Sequence, residues 1–301
     1  METTKASPAI SDLKALSYLC TDVPLVCDGL ALHLDRTEAV GIQPRKDILL
    51  VHGVTYSSHE FDIRYEDYSL VRFLAAEGFR VWRLDIAGYG RSAPVADGFL
   101  PDSDYAAENI AAAAACIVKE TGRPRLDVLG WSWGTVTVSR FAAKYPDYPD
   151  RIVLYAPILC GLGYEKVTEP FHHNTWEHAA DDFRKAPDGS PDSAIADPVL
   201  VELWCSSCWH YDRDSSPNGG RRDICVDRSK TLIDLTRLQS PTLVICGDRD
   251  PYLDPDRVRH CLSDLPSGSA LEILEGGSHV VFVEKPYVKD FQARLIRFLK
   301  G

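Results

Sequence analysis

The chain has 301 residues, of which 45% are hydrophobic and 26% charged, and these values are ordinary for a globular protein with a sizeable core. The formal net charge is −11, and Lys and Arg do not cluster, which argues against a nucleic-acid binder because phosphate contacts depend on concentrated positive charge. No apolar run approaches the ~20 residues that span a bilayer, so we expect no membrane span.

Targeting signals and cysteine usage indicate the compartment. The first twenty residues show no basic start followed by an apolar stretch, so we expect no secretory signal. Nine cysteines, an odd number scattered along the chain, indicate reduced thiols and not a disulfide framework. The sequence therefore predicts a cytoplasmic protein.

The first predicted element is a hairpin over residues 24–36, with Asp28 and Gly29 as its turn because Asp-Gly tolerates positive φ. Short, almost continuously apolar runs then alternate with helical patterns, as in a parallel sheet covered by helices on both faces. This alternation predicts an α/β fold with a doubly wound, mostly parallel sheet. The strand-like runs are residues 47–53, 80–85, 125–130, 151–157, 241–248 and 270–276, and the helical patterns between them are residues 69–79, 105–122 and 136–146.

The alternation stops between Pro157 and Pro241, over a span far longer than an ordinary connection. Two stretches in this span, residues 172–186 and 198–214, have helix-like patterns. We therefore predict a helical lid insertion over residues 158–238, placed over a core domain formed by residues 1–157 and 239–301.

A serine lies at the junction of a predicted strand and a predicted helix. Gly130, Ser132 and Gly134 form a G-x-S-x-G pattern, in which small neighbours allow a sharp turn that lifts the hydroxyl clear of the sheet. The start of the helix adds backbone N–H groups and a positive dipole end. The pattern predicts that Ser132 attacks an electrophile.

A serine nucleophile needs a base and a group that orients the base. Asp248 and Asp250 follow one predicted strand, and His279 lies in a glycine-rich loop after the next strand. The chain order Ser, Asp, His is the order found with this type of elbow.

Together with His52-Gly53 and the turn "DIAGYGRS" at residues 85–92, these motifs resemble those of the α/β-hydrolase superfamily over residues 24–300. The resemblance implies that Ser132 is the nucleophile and His279 the general base. It favours Asp250 as the orienting acid, with Asp248 and Asp254 as alternatives.

The same resemblance implies an oxyanion hole formed by the backbone N–H groups of Val54 and Trp133, with Thr55 as a neighbouring possibility. It places His52 in a structural role beside that loop. Trp131 is expected to pack in the core away from the pocket, whereas the side-chain direction of Trp133 stays open.

Aromatic residues of the predicted lid suggest a substrate-binding role. We expect Trp176, Trp204, Trp209 and Tyr211 to form a hydrophobic underside that faces the pocket, which would favour a small-molecule substrate with an apolar or aromatic portion.

A C-x-x-C pattern at Cys205 and Cys208 raises the possibility of zinc, with His172, His173, His178 and His210 in the same insertion. A single C-x-x-C without a second ligand pair is weak evidence, so we favour cysteines that pack as small hydrophobic residues. We expect no metal and no organic cofactor.

These observations predict a cofactor-independent serine hydrolase that cleaves an ester, lactone or thioester through an acyl-enzyme intermediate. A carbon–carbon bond hydrolase, an acyltransferase and an amidase or iminopeptidase would use the same three side chains, so they stay open. The iminopeptidase is disfavoured because "HGVTYSS" replaces the typical "HGGPG" loop. A ligand receptor with little or no catalytic activity is the alternative from another class. Substrate turnover distinguishes the two, because a receptor would bind its ligand without releasing product rapidly.

Overall fold

The computed structural model describes residues 16–301. It begins with the antiparallel strands β1 (Tyr18–Cys27) and β2 (Leu30–Ala39), whose terminal residues pair directly. Asp28 and Gly29 join them with φ values of 50° and 76°, as a two-residue hairpin turn of the right twist requires. The predicted hairpin is confirmed.

The next elements alternate between strand and helix as the apolar pattern predicts. They are β3 (Lys46–Val51), α1 (Leu70–Ala76), β4 (Phe79–Asp85), α2 (Ser103–Thr121), β5 (Leu126–Trp131), α3 (Trp133–Lys144) and β6 (Pro149–Tyr155). The alanine-rich helix α2 begins where the Asp102 carboxylate accepts the backbone N–H groups of Asp104 and Tyr105. It ends at Gly122, which has a left-handed φ of 69°.

The segment after β6 is less helical than its sequence suggests. It contains β7 (Phe171–His173), α4 (Pro198–Tyr211), β8 (Ser215–Pro217) and α5 (Gly219–Ile224). Helix α4 confirms the pattern at residues 198–214. The helix predicted at residues 172–186 is wrong, because the start of that stretch pairs with β8 as the antiparallel strand β7, and only a short 3-10 turn follows at Glu177–Ala180.

The last elements are β9 (Thr242–Gly247), α6 (Pro255–His260), β10 (Ala270–Leu274) and α7 (Val288–Lys300). The eight strands of the main sheet lie in the order β1-β2-β4-β3-β5-β6-β9-β10. From β4 to β10 all neighbours are parallel, and only the hairpin strands pair in the antiparallel sense.

Two hydrophobic clusters cover the two faces of this sheet. One contains Ile110 of α2 and Phe141 of α3, and the other contains Phe73 of α1 and Phe291 of α7. The doubly wound, mostly parallel sheet is therefore confirmed. Within residues 16–301, no helix is both long enough and apolar enough to cross a membrane.

Candidate active site

Ser132 occupies a strained turn between β5 and α3. Its φ of 56° and ψ of −124° lie in a region that residues with a side chain rarely adopt, and such strain is concentrated at functional sites. A Cβ atom on Gly130 would collide with the carbonyl group of Gly134, and one on Gly134 would collide with the Val51 carbonyl oxygen. Both glycines of the G-x-S-x-G pattern are thus required by close backbone approach.

His279 and Asp250 meet at the carboxyl ends of the neighbouring strands β9 and β10. Their side chains are buried, and His279 Nδ1 lies 2.7 Å from Asp250 Oδ2. The two loops approach so closely that a Cβ atom on Gly247 would collide with the carbonyl group of Gly277. Because Asp250 engages Nδ1, Nε2 is the ring nitrogen that can exchange a proton with a substrate or a nucleophile.

The charge of Asp250 decides the protonation behaviour of His279. Burial lowers the pKa of the imidazole, but the nearby Asp250 carboxylate attracts the proton and accepts a hydrogen bond from the ring. Burial is the largest single effect, but the charge and hydrogen bond of Asp250 and the charge of Asp182 together outweigh it, so the pKa of His279 is raised above its ordinary value of 6.5.

The other two candidate acids have different partners. Asp248 Oδ1 accepts the backbone N–H of Gly276 at 2.6 Å, and Asp254 accepts backbone N–H groups at the start of α6. Of the three carboxylates, the structure brings Asp250 to His279.

Trp131 supports the histidine loop, a role that the sequence did not suggest. Its indole Nε1 donates to the backbone carbonyl of His279 at 3.3 Å, and Tyr155 Oη donates to the same oxygen at 2.6 Å. Trp131 packs in the core as expected, but it also lies on the wall of the cavity that contains Ser132, contrary to the expectation that it points away.

The predicted oxyanion loop lies beside the serine. A Cβ atom on Gly53 would be 3.2 Å from Ser132 Cβ, and the next two residues, Val54 and Thr55, line the same cavity. Trp133 is the first residue of α3, so its N–H has no acceptor within the helix. Its side chain is directed into the core, where Nε1 donates to Ser103 Oγ at 2.9 Å.

His52 has the structural position that the sequence suggested. Its Nδ1 donates to the Gly53 carbonyl oxygen at 2.7 Å, and its Nε2 accepts the backbone N–H of Ile86 at 3.1 Å. Burial lowers the pKa of His52, which keeps the ring neutral and able to accept that hydrogen bond.

One cavity of about 130 Å³ brings these groups together. Apolar, aromatic and ionisable side chains share its wall. It is lined by Gly53, Val54, Thr55, Glu60, Trp131, Ser132, Ile158, Leu162, Tyr164, Asp182, Arg221, Ile224, Cys225, Tyr252 and His279.

The prediction that Trp176, Trp204 and Trp209 line this cavity is wrong. Trp204 is fully buried and packs against Trp131 and Phe183 in the core beneath α4. Trp176 and Trp209 are 37% and 42% exposed, and Tyr211 is 37% exposed. On α4 the reason is that only one face is buried, and Trp204 lies on it whereas Trp209 does not; Trp176 lies outside α4, just before the 3-10 turn at Glu177–Ala180.

Three ionisable residues of the cavity had no signal in the sequence. Burial raises the pKa of Glu60 well above its ordinary value, and burial also raises the pKa of Asp182. Arg221 donates from its guanidinium to Thr55 Oγ1 at 2.6 Å and to Asn218 Oδ1 at 3.1 Å. Asp182 and Arg221 reach the site through long-range folding, whereas Glu60 lies in the 3-10 turn after the oxyanion loop, and no motif marks any of the three.

The cysteines of the C-x-x-C pattern are free and buried in the core beneath α4, where they pack as small hydrophobic residues. Among the residues that the structure describes, the one grouping with metal-ligand spacing is Asp22, His33 and Asp35. Its carboxylates already form ion pairs with Arg91 and Arg83.

Comparison with known proteins agrees with this architecture. The model of the family described as serine aminopeptidase, S33, matches residues 42–286. The chain therefore belongs to this family of α/β hydrolases, and it is an enzyme of the hydrolase class.

Relatives and solved structures of similar size match most of this chain. Serine hydrolase BPHL of Homo sapiens is 26% identical over 280 residues, covering 90% of this chain and 84% of the relative. The pimeloyl-acyl-carrier protein methyl ester esterase of Neisseria meningitidis serogroup C is 24% identical over 270 residues, covering 85% of this chain and 94% of the relative. The crystal structure of a hydrolase from Pseudomonas aeruginosa aligns with a TM-score of 0.66 at 22% identity, covering 95% of this chain and 98% of that chain.

Proposed function

We propose that this protein is a serine hydrolase that cleaves a carboxylic ester, lactone or thioester through an acyl-enzyme intermediate. The observation that carries the proposal is the 2.7 Å contact between His279 Nδ1 and Asp250 Oδ2, made at the cavity where Ser132 occupies its strained turn. Relatives named as esterases, such as the methyl ester esterase above, support an ester as the substrate.

In the proposed reaction, Nε2 of His279 removes the proton of Ser132 Oγ as the oxygen attacks the acyl carbon. The oxyanion that forms accepts hydrogen bonds from the backbone N–H groups of Val54 and Trp133. His279 then returns the proton to the leaving group, and water releases the acyl group by the same steps in reverse order. Asp250 holds the imidazole in place and stabilises its charged form.

The cavity wall also supports a substrate with an apolar portion. Ile158, Leu162 and Ile224 contribute aliphatic side chains near Ser132 and take the place that we had assigned to the lid tryptophans. An acyl chain or alkyl group of a few carbons would bury apolar surface against them.

The test combines active-site labelling with turnover. The wild type should react with a fluorophosphonate probe and hydrolyse 4-nitrophenyl esters, with an optimum at a short or medium acyl chain. Both signals should disappear in Ser132→Ala and in His279→Ala, whereas Ser263→Ala, which changes an exposed serine in the 3-10 turn after α6, should behave as the wild type. A fluorophosphonate label that survives in Ser132→Ala would refute the assignment of the nucleophile. Labelling without any ester turnover would favour a weakly catalytic receptor or another reaction on the same side chains.

A further inference from the structure

Arg221 places a positive charge in the proposed active site without a negative partner. It lies on α5, is half-buried, and lines the cavity together with Ser132. Its two hydrogen-bond acceptors, Thr55 Oγ1 and Asn218 Oδ1, are neutral. Within residues 16–301, no carboxylate lies within 4.0 Å of its guanidinium, so its charge is available to an anion that enters the cavity.

Some partly buried arginines elsewhere in the chain have acidic partners. The adjacent Arg222 faces Asp102 at 3.9 Å, and Arg123 pairs with Asp47 at 2.6 Å. The acidic side chains in the cavity, Glu60 and Asp182, form no ion pair with Arg221 within 4.0 Å, and burial raises the pKa of both carboxyls.

Two contacts hold Arg221 in a fixed position relative to Ser132. Thr55, which accepts its hydrogen bond at 2.6 Å, belongs to the loop beside the serine. The preceding residue, Gly220, packs so closely on the Trp133 indole that a Cβ atom there would collide with the ring. The guanidinium is thus hydrogen-bonded to the oxyanion loop, and the backbone next to Arg221 packs on the residue after Ser132; such pre-organisation favours recognition of a charged group at a defined distance.

We propose that Arg221 is a carboxylate-binding subsite, so that the natural substrate carries a carboxylate in addition to the acyl group attacked by Ser132. This inference rests on the proposed function and specifies its substrate class. Thr55 and Asn218 take two of the five N–H donors of the guanidinium, and the others match the two oxygens of a carboxylate. A singly charged anion also balances the single charge of Arg221, whereas a phosphate dianion would leave an unpaired charge in a partly apolar cavity.

The first experiment compares substrates that differ only in the carboxylate. In the first pair, mono-4-nitrophenyl adipate and 4-nitrophenyl hexanoate share a six-carbon acyl chain, and only the adipate carries a carboxylate at its end. In the second pair, the hexanoyl esters of 4-hydroxybenzoate and of its methyl ester, the carboxylate lies on the leaving group instead. We expect kcat/KM to favour the charged member of one pair by about tenfold to a hundredfold, as for a charge-assisted hydrogen bond. In Arg221→Gln this ratio should fall to about one, and in Arg221→Lys it should be intermediate. Arg222→Gln is the matched control, and it should keep the wild-type ratio.

A second measurement does not need turnover. Isothermal titration of hexanoate and of hexanamide into Ser132→Ala should give tighter binding of the carboxylate. The difference in affinity should disappear in the double variant that also carries Arg221→Gln. Equal kcat/KM within both ester pairs, or a preference that persists without Arg221, would overturn the subsite while leaving the serine hydrolase intact. If no ester is cleaved and no fluorophosphonate label forms, the proposed function fails, and the titration still decides whether Arg221 binds a carboxylate.

Discussion

Asp212 connects the segment between β6 and β9 to the loop that precedes the candidate active site, and its replacement gives a sharp prediction. The residue directly follows α4, and its carboxylate is buried. Oδ2 accepts the backbone N–H and the hydroxyl of Ser57, both at 3.0 Å, and lies 2.9 Å from His59 Nε2. Oδ1 accepts the backbone N–H of Gly90 at 2.9 Å.

The size of the effect follows from these four contacts. Asp212→Asn keeps one acceptor oxygen and turns the other side of the group into a donor, so at least one backbone N–H, of Ser57 or Gly90, loses its acceptor. An unsatisfied buried donor costs about 1 to 3 kcal/mol, and each remaining bond weakens by about 1 kcal/mol when its acceptor loses the charge. We expect the free energy of unfolding to fall by about 3 to 5 kcal/mol in total.

Activity should fall as well, because Ser57 lies two residues after Thr55 in the loop beside Ser132. A displaced loop would misplace the Val54 N–H, and loss of one oxyanion donor costs about a hundredfold or more in kcat. The assays are urea unfolding and 4-nitrophenyl ester turnover of Asp212→Asn, with the exposed neighbour Asp214 changed to Asn as the control. A loss of stability below about 1 kcal/mol would refute the assigned network.

Three further predictions concern single carboxylates and the proposed base. Asp250→Asn should lower kcat by about a thousandfold to ten-thousandfold at nearly unchanged KM, because the imidazole loses its orienting charge, and steady-state kinetics would show this. Since Asp250 raises the pKa of His279, and the base must be neutral, kcat/KM should fall as the pH is lowered, with a midpoint above 6.5; a pH–rate profile with a lower midpoint would contradict this. Burial raises the pKa of Asp127 from 3.8 to about 7. Protonated Asp127 therefore favours folding, and this contribution, up to about 4 kcal/mol, is lost as the pH rises from about 4 to about 7. In Asp127→Asn, chemical denaturation across this range should reveal a flatter stability profile.

Local sequence was sufficient for the strained serine and for most of the sheet. The glycines around Ser132 are required by contacts within a few residues or with the adjacent strand β3, so the G-x-S-x-G pattern predicts the turn directly. The continuously apolar runs predict buried parallel strands for the same reason, since each buried strand must be apolar on both faces. The helix at residues 172–186 was predicted wrongly because pairing between β7 and β8 overrides a weak local pattern.

The choice among the candidate acids and the composition of the cavity depended on the tertiary structure. Asp248 and Asp250 are only two residues apart, and the close approach of Gly247 to Gly277 decides that Asp250 faces His279. Arg221 reaches Thr55 across 166 residues of sequence, a distance over which no periodicity carries information. The sequence thus determined the chemistry near Ser132 through short-range steric rules, whereas the tertiary fold decided which charges and side chains a substrate would meet, because long-range packing places them.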